Sequence, residues 1–305
     1  MRIVLVGEES AGSRVLKAVM TSEHELIAVL ATPPTNVQGR SALWQSAEKA
    51  GLPTWPAQRV RDPAFTQVLR DERVDVLLNV HSLVVFDAQV LDGPRLGCFN
   101  LHPGPLPEYA GLNTVSWALY RGERKYGVTL HKMAAKIDAG EIVYQIAFEI
   151  EDTDNALAVY SNCLKHGLTL IQHFFENLSR TPVDIPLTPQ DASRRRYFKP
   201  QPPNGGRVIW TDTARQLHNF VRACDHFPFP SPWGYPRFSV RDQDVAIAKA
   251  ELTGIGSDQR PGTIVVDESG PLVACGDEWL RVKRLLHEGS RVLAADLLRS
   301  GDVAS

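Results

Sequence analysis

The sequence is short of cysteine and of net charge, and it holds no long apolar run. Its four cysteines, Cys98, Cys163, Cys224 and Cys275, are scattered singly along 305 residues. No two form a CxxC metal or redox pair, so buried thiols in a reducing compartment are the expected state. Lys and Arg number 33 against 35 Asp and Glu, leaving a net charge of −2. A general nucleic-acid binder carries a basic excess, and this chain carries none. The opening MRIVLVGEES has a short apolar run that stops at Gly7 and two acids. It reads as neither a signal peptide nor a membrane span, and the cytoplasm is the expected location. No cluster of His, Cys and acids has metal-ligand spacing, so no metal is expected.

What is present is an ordinary globular composition, 43% hydrophobic and 22% charged, with room for one large domain and a smaller one. Arg2 to Val6 is a β-branched apolar run typical of a strand buried on both faces. Glu25 to Ala31, Leu52 to Trp55, Val74 to Val80 and Gly97 to Leu101 read as further strands. Helical stretches at Ser10 to Thr21, Ser41 to Ala50 and Asp62 to Arg70 alternate with them; Asp62 is the expected cap and Pro63 the first helical residue. Such alternation predicts an α/β fold with a doubly wound, mostly parallel, Rossmann-like sheet. Ligands in these sheets sit beyond the carboxyl ends of the strands, which points to Gly7, His81 and Asn100 to Pro107.

A helix from Asn113 to about Arg121, strands at Tyr126 to Met133 and Ile142 to Ile150, and a long helix at Asp154 to Leu178 follow. Near residue 181 the character changes. TPVDIPLTPQDASRRRYFKPQPPNGG is rich in Pro, Gly and polar residues, and reads as a linker or a long extended crossing segment. Beyond it stand an amphipathic helix, Thr213 to Ala223, and short strands at Arg237 to Val240, Val245 to Ala250, Gly262 to Val266, Leu272 to Cys275 and Leu280 to Leu285. The expected organisation is a catalytic domain over 1–180, a linker over 181–206, and a small β-rich, barrel-like domain over 207–305.

Two stretches carry candidate chemistry. In FNLHPGPLPEYAGLNTVSW, residues 99–117, Asn100 and His102 lie two apart at a strand end, so both side chains point one way. An amide there can hold a developing oxyanion and an imidazole can move a proton, which suits acyl transfer. The same pair can equally satisfy loop backbone, and by itself it leaves both readings open. In GVTLHKMAAKIDAGEIVYQ, residues 127–145, an acid at Asp138 lies in a loop between strands. It either caps a turn or folds back on His102 to orient the imidazole.

Other signals are weaker. Gly7 to Gly12 is a glycine-containing strand-to-helix turn without GxGxxG or a phosphate-loop Lys, so no nucleotide site is expected there. His81 sits at a strand end, where substrate contact and a structural role are equally open. His131 reads as a packed or bridging strand residue. Arg194 to Arg196 form the dense basic run, read as a solvated face rather than an RNA or phosphate site. His226 to Trp233, aromatic and proline-rich, reads as packing in the smaller domain.

Together the two stretches resemble the formyltransferase family that uses 10-formyltetrahydrofolate. Asn100-x-His102, the following Pro-Leu-Pro loop, Gly127-Val-Thr-Leu-His131 and Ile137-Asp138-Ala139-Gly140 match its core at matching separations. The C-terminal part, with Ile209-Trp210 and the helix after it, resembles the smaller domain of methionyl-tRNA formyltransferase. The resemblance implies catalytic roles for Asn100, His102 and Asp138. It implies a pterin held against Val84, Val85 and Phe86 on one side and Ala134, Ala135, Lys136, Ile137 and Asp138 on the other. It also implies an acceptor-facing wall at Pro105, Leu106, Tyr109 and Asn113. The LVVF run can sandwich a flat heterocycle, or it can simply pack in the core.

The implied reaction is attack of a neutral amine on the formyl carbon of 10-formyltetrahydrofolate. Asn100 and protonated His102 stabilise the oxyanion, and Asp138 tunes His102. The loop ATPPTNVQGRSALW has one Arg and no Lys, and the loop after His102 reads Pro103-Gly-Pro-Leu-Pro107. Both depart from the tRNA-specific pattern, so tRNA is disfavoured as acceptor. Leu112 stands where the lipid A enzyme has Arg, which disfavours that substrate too. The expected acceptor is a small-molecule or carrier-bound amine, such as an amino sugar, hydroxylated ornithine or an aminoacyl group. The rival readings are methionyl-tRNA formyl transfer, a formyl-folate-binding protein, and a hydrolase that passes the formyl group to water. A homodimer is compatible with the sequence, in which no motif sets the oligomeric state.

Overall fold

The structure is a computed structural model, and it describes residues 1–34 and 41–305. The reading of residues 31–44 as a loop poor in basic residues falls in part on 35–40, outside the described residues. The chain forms two compact units, each drawing on separate segments. One comprises Met1–Gly111, Tyr126–Phe148 and Ser161–Tyr197; the other comprises Leu112–Lys125, Glu149–Tyr160 and Phe198–Ser305.

In the first unit, β1 (Arg2–Gly7), α1 (Glu9–Met20), β2 (Glu25–Ala31), α2 (Ala42–Lys49), β3 (Thr54–Pro56), α3 (Phe65–Asp71), β4 (Val76–Val80) and β5 (Gly97–His102) follow in turn. The unit continues through β6 (Ala110–Gly111), β7 (Lys125–Lys132), β8 (Ile142–Glu149), most of α5 (Ala156–Leu178) and the start of β9 (Tyr197–Phe198), while α4 (Thr114–Tyr120), between β6 and β7 in sequence, belongs to the second unit. The central sheet has seven strands in the order β3-β2-β1-β4-β5-β7-β8. Strands β1 to β5 pair in parallel, and β7 runs antiparallel to β5. Ile3 to Val6 are fully buried, as are Val76 to Leu78, so these runs are apolar on both faces. The order reverses between β1 and β4, where such sheets open a crevice at the carboxyl ends. The doubly wound α/β reading holds.

The third helix differs from its expectation. Asp62 Oδ1 accepts the Ala64 N–H at 2.9 Å, and the Asp62 and Pro63 carbonyls accept from Phe65 and Thr66. These tight i→i+2 and i→i+3 bonds turn the chain first, so the helix starts at Phe65, not Pro63. Gly7 and Gly12 serve packing: a Cβ on Gly12 would lie 2.8 Å from Leu43.

The second unit holds α6 (Ala214–Cys224), β10 (Arg237–Val240), β11 (Gln243–Gly256), β12 (Ile264–Asp267), β13 (Gly270–Ala274), β14 (Glu278–His287), β15 (Ser290–Leu293) and α7 (Ala294–Leu297). Its antiparallel sheet runs β10-β11-β14-β13-β12, with β15 on β14. Two strands are longer than their apolar runs indicate, because β11 and β14 pair with one another along much of their length. The segment after α7 bridges the open side. Ile264 donates to Asp302 O, Ala304 donates to Gly262 O, and Ser239 and Ser305 exchange backbone bonds at 2.7 and 2.9 Å. A barrel-like sheet thus closes around Val208, Trp210, Phe238, Ile247, Leu280 and Leu285. Helix α6 carries the capping box Thr213–Gln216. Of the aromatic, proline-rich segment, Trp233 is buried against Trp117 at 5.0 Å, whereas Phe227 and Phe229 are exposed, so packing describes its end alone.

Candidate active site

The alternation of β5 places Asn100 and His102 on one face, and the register places their neighbours. Asn79 of β4 stands opposite Asn100 on one side, and His131 of β7 stands opposite it on the other. Thr129 stands opposite His102. Three strands therefore set Asn79, Asn100 and His131 in a row across the sheet. Asn79 Nδ2 donates to Asn100 Oδ1 at 2.9 Å, and Asn100 Nδ2 lies 3.1 Å from His131 Nε2. His131 Nδ1 lies 2.9 Å from the Lys132 carbonyl. A carbonyl only accepts, so His131 carries its proton on Nδ1 and its Nε2 accepts from Asn100. The Asn100 amide is thus held with its NH₂ outward along the row.

Asp138 reaches this row from the loop between β7 and β8. Its Oδ2 lies 3.7 Å from His102 Nδ1, and its Oδ1 lies 3.6 Å from His131 Nε2. Gly111 N–H donates to Oδ2 at 2.9 Å. The fold-back left open by the sequence is present in the structure. Burial alone would raise the carboxyl's pKa. The charge of His102, the neighbouring His131 ring and the Gly111 N–H outweigh it and hold the carboxyl well below the usual carboxylate range.

His102 Nε2 lies 2.6 Å from the Tyr109 carbonyl, so that nitrogen carries a proton, while Nδ1 faces the Asp138 carboxylate. The ring is buried, 4% exposed. Its loop is pinned from β7 and β8. Thr129 Oγ1 accepts the Leu106 N–H at 3.1 Å and donates to Gly104 O at 2.7 Å, and Gln145 Nε2 donates to Leu106 O at 2.9 Å. Gly104 is required here: a Cβ would lie 2.8 Å from Tyr109 O and 2.9 Å from His102 Nε2.

Asp138 has φ +51°, a left-handed conformation that Asp and Asn tolerate better than most residues. Part of the segment read as a linker or an extended crossing segment straps this loop down. Gln190 Nε2 donates to the carbonyls of Asp138 and Gly140 at 3.1 and 2.6 Å. Arg195 Nη2 donates to Ile137 O at 2.6 Å, and Arg194 pairs with Glu108. Arg194 and Arg196 stay exposed, as the reading of a solvated face expects, while Arg194 and Arg195 also make contacts within the protein. A Cβ on Gly140 would meet Lys132 O at 1.8 Å, so only glycine lets the loop approach β7.

His81 ends β4 at φ +57° and is pushed down to about 4, first by burial and then by the charge of His102. It is neutral at pH 7. The LVVF run divides between its two readings. Val84 and Phe86 pack on the core, whereas Leu83 and Val85 are 79% and 57% exposed. Across the site, Ala134, Ala135, Lys136 and Ile137 are exposed. A cavity of about 410 Å³ opens beside that loop, lined in part by Met133, Ala134, Gly140 and Gln190. The four residues expected to face the acceptor differ in exposure. Leu106 and Tyr109 turn their side chains inward, and the Tyr109 ring packs edge-on to Tyr126 at 5.3 Å. Their backbone groups are engaged within the site itself, Leu106 with Thr129 and Gln145 and Tyr109 O with His102. Pro105 and Asn113 are half-buried, and Asn113 donates to Pro200 O at 2.9 Å. Among the described residues no three His, Cys, Asp or Glu are grouped to hold a metal ion.

Residues 1–173 match the family model described as formyl transferase, and residues 202–301 match the formyl transferase C-terminal domain. The chain belongs to the formyl transferase family. Among solved structures, this formyl transferase is similar to an N-formyltransferase from Helicobacter canadensis described with folinic acid and dTDP-3-aminofucose. That match has a TM-score of 0.65 and 17% identity, over 92% of this chain and 98% of that one. It is similar to WlaRD, a sugar 3N-formyl transferase solved with dTDP and 5-N-formyl-THF, at TM-score 0.65 and 16% identity, over 92% of this chain and 96% of that one. HypX from Aquifex aeolicus, in complex with tetrahydrofolic acid, matches 98% of this chain with 47% of its own length, at TM-score 0.61 and 18% identity. At these identities the likeness is one of fold.

Proposed function

We propose that this formyl transferase moves a formyl group from 10-formyltetrahydrofolate to an amine of a small or carrier-linked substrate, with nucleotide-linked amino sugars as the leading acceptor class. The observation that carries the reading is Asp138, whose carboxylate lies between His102 and His131 while His131 accepts from the Asn100 amide. Support for the folate comes from two exposed apolar faces, Leu83 with Val85 and Ile137, that can flank a flat ring. The backbone N–H groups of Val85 and Phe86 make no hydrogen bond to the described residues, and an amide edge can use them. The amino-sugar class is supported by the dTDP-3-aminofucose named with the Helicobacter canadensis protein.

When bound, the folate supplies an activated formyl carbon. Asn100 gives one Nδ2 hydrogen to His131 and turns the other toward the side where negative charge develops on the formyl oxygen. His102 supplies positive charge beside it, and its Nε2 proton is held by the Tyr109 carbonyl until a better acceptor arrives. Asp138, ionised, keeps the imidazole oriented and stabilises the charged ring.

Incubating the purified protein with 10-formyltetrahydrofolate and a panel of amines, read by formyl mass gain, tests the reading. The panel contains dTDP-linked amino sugars, hydroxylated ornithine, carrier-bound aminoacyl groups and methionyl-tRNA. Formylation of an amino sugar above the rest is expected. Methionyl-tRNA formylated as fast as any small amine would overturn the acceptor class. Folate release at the same rate without an amine would overturn transfer in favour of hydrolysis.

A further inference from the structure

A second cavity, about 460 Å³, lies wholly within the unit that contains the barrel-like sheet. Its wall carries four arginines, Arg121, Arg124, Arg215 and Arg222, and a single carboxylate, Asp152. Asp152 is shared: Arg124 Nη1 lies 2.8 Å from Oδ1 and Arg215 Nη1 lies 3.6 Å from it. Arg121 has only a long pair with Glu123, at 3.8 Å. Arg222 is 8% exposed, with Nε on Asn219 Oδ1 at 3.0 Å and Nη1 on the Glu151 and Asp154 carbonyls at 3.1 and 3.3 Å. Its Nη2 makes no hydrogen bond within the described residues.

The cavity wall holds four guanidinium groups, one of them buried, against one carboxylate; Glu123 and Asp154 beside it offset part of that charge, and the wall stays net positive. Burial first, and then Arg222 and Arg215, push the adjacent His218 down to about 4, against the opposing charges of Asp152 and Glu251. An arrangement of like charges costs free energy unless something neutralises it. Guanidinium forks match the geometry of phosphate oxygens, and several around one cavity match a multiply charged group.

We propose that this cavity is a phosphoryl-binding site, fitted to a phosphate monoester or a diphosphate. Nothing in this reading depends on formyl transfer. The group has two possible sources, a phosphorylated part of the acceptor or a free phosphorylated effector, and both present the same oxyanion to the same four arginines.

The test is calorimetric titration of the full chain with inorganic pyrophosphate at constant ionic strength, using Arg124→Gln and Arg215→Gln. Both side chains are at least half exposed, so neither variant removes a buried group. Arg222→Ala, which does, is judged only where its circular dichroism and unfolding midpoint match wild type. The expected result is saturable binding, weakened by about tenfold or more in each variant. Absence of saturable binding, or equal affinity in wild type and both Gln variants, overturns the site. The source is read from kinetics with a nucleotide-linked acceptor. A raised acceptor KM in Arg215→Gln, with folate KM unchanged, assigns the phosphoryl group to the acceptor. Unchanged KM with weakened pyrophosphate binding assigns it to a free effector.

Discussion

Asn79 and Asn100 stand opposite one another on β4 and β5, and the Asn79 amide donates to Asn100 Oδ1 at 2.9 Å. This bond decides which end of the Asn100 amide is available to a reacting group. Asn79 Oδ1 is itself buried with no partner among the described residues, so the orientation is held at some cost. An aspartate at position 79 could only accept, which would turn the Asn100 amide round and aim its oxygen at a developing oxyanion. Asn79→Asp is therefore expected to lower kcat by about tenfold or more with little change in KM. Asn79→Leu, which removes the constraint without reversing it, is expected to lose less. Equal losses in the two variants would show that Asn79 acts only through packing.

Gly104 gives a test of His102 that leaves every polar group in place. A Cβ there meets both Tyr109 O and His102 Nε2. Gly104→Ala is expected to displace the ring and cut kcat by about a hundredfold, within the range removed with a proton-transfer group, while circular dichroism stays native. Full activity would mean that the ring position seen here is not the working one.

The loop after His102 depends on Thr129. Thr129→Val keeps the shape and removes the hydroxyl, leaving the buried Gly104 carbonyl and Leu106 N–H without it. Urea unfolding is expected to show a loss of about 1–3 kcal/mol. A midpoint unchanged from wild type would place the loop's support elsewhere.

Acid stability reports on Asp138. Its carboxyl is held below its unfolded value, so the unfolded chain binds the proton first as pH falls. The stability it confers is complete above the ordinary carboxylate range, which centres near pH 4, and is lost as pH falls through the lower folded value. Asp138→Asn keeps the left-handed backbone and lacks this contribution. The stability gap between wild type and variant is expected to be constant at neutral pH and to shrink below about pH 4. A gap that stays constant to pH 2 would contradict the assigned ionisation.

Much of this architecture was legible in the sequence because it rests on period. Apolar runs gave the order of strands and helices, and alternation put Asn100 and His102 on one face. Register carries no such signal. That Asn79, Asn100 and His131 align depends on β5 lying between β4 and the antiparallel β7, which no local pattern encodes. The lone polar residue inside the buried run VLLNV was the one available hint. The strap over Asp138 was equally hidden. Gln190 and Arg195 act through polar tips on backbone carbonyls, so their segment has no apolar period and reads as a linker. Tyr109 was expected in the acceptor-facing wall, and no local pattern signals that its carbonyl meets His102.

The most direct measurement of the central claim is isotope transfer from 10-[¹³C-formyl]tetrahydrofolate to a dTDP-linked amino sugar, by wild type and by Asn100→Ala, His102→Ala and Asp138→Asn. Labelled N-formyl product from wild type, with a loss of at least about a hundredfold in each variant, is the predicted result. Labelled product formed at wild-type rate by any of the three folded variants would remove that residue from the site. Unlabelled acceptor alongside consumed folate in the wild type would contradict the transfer itself.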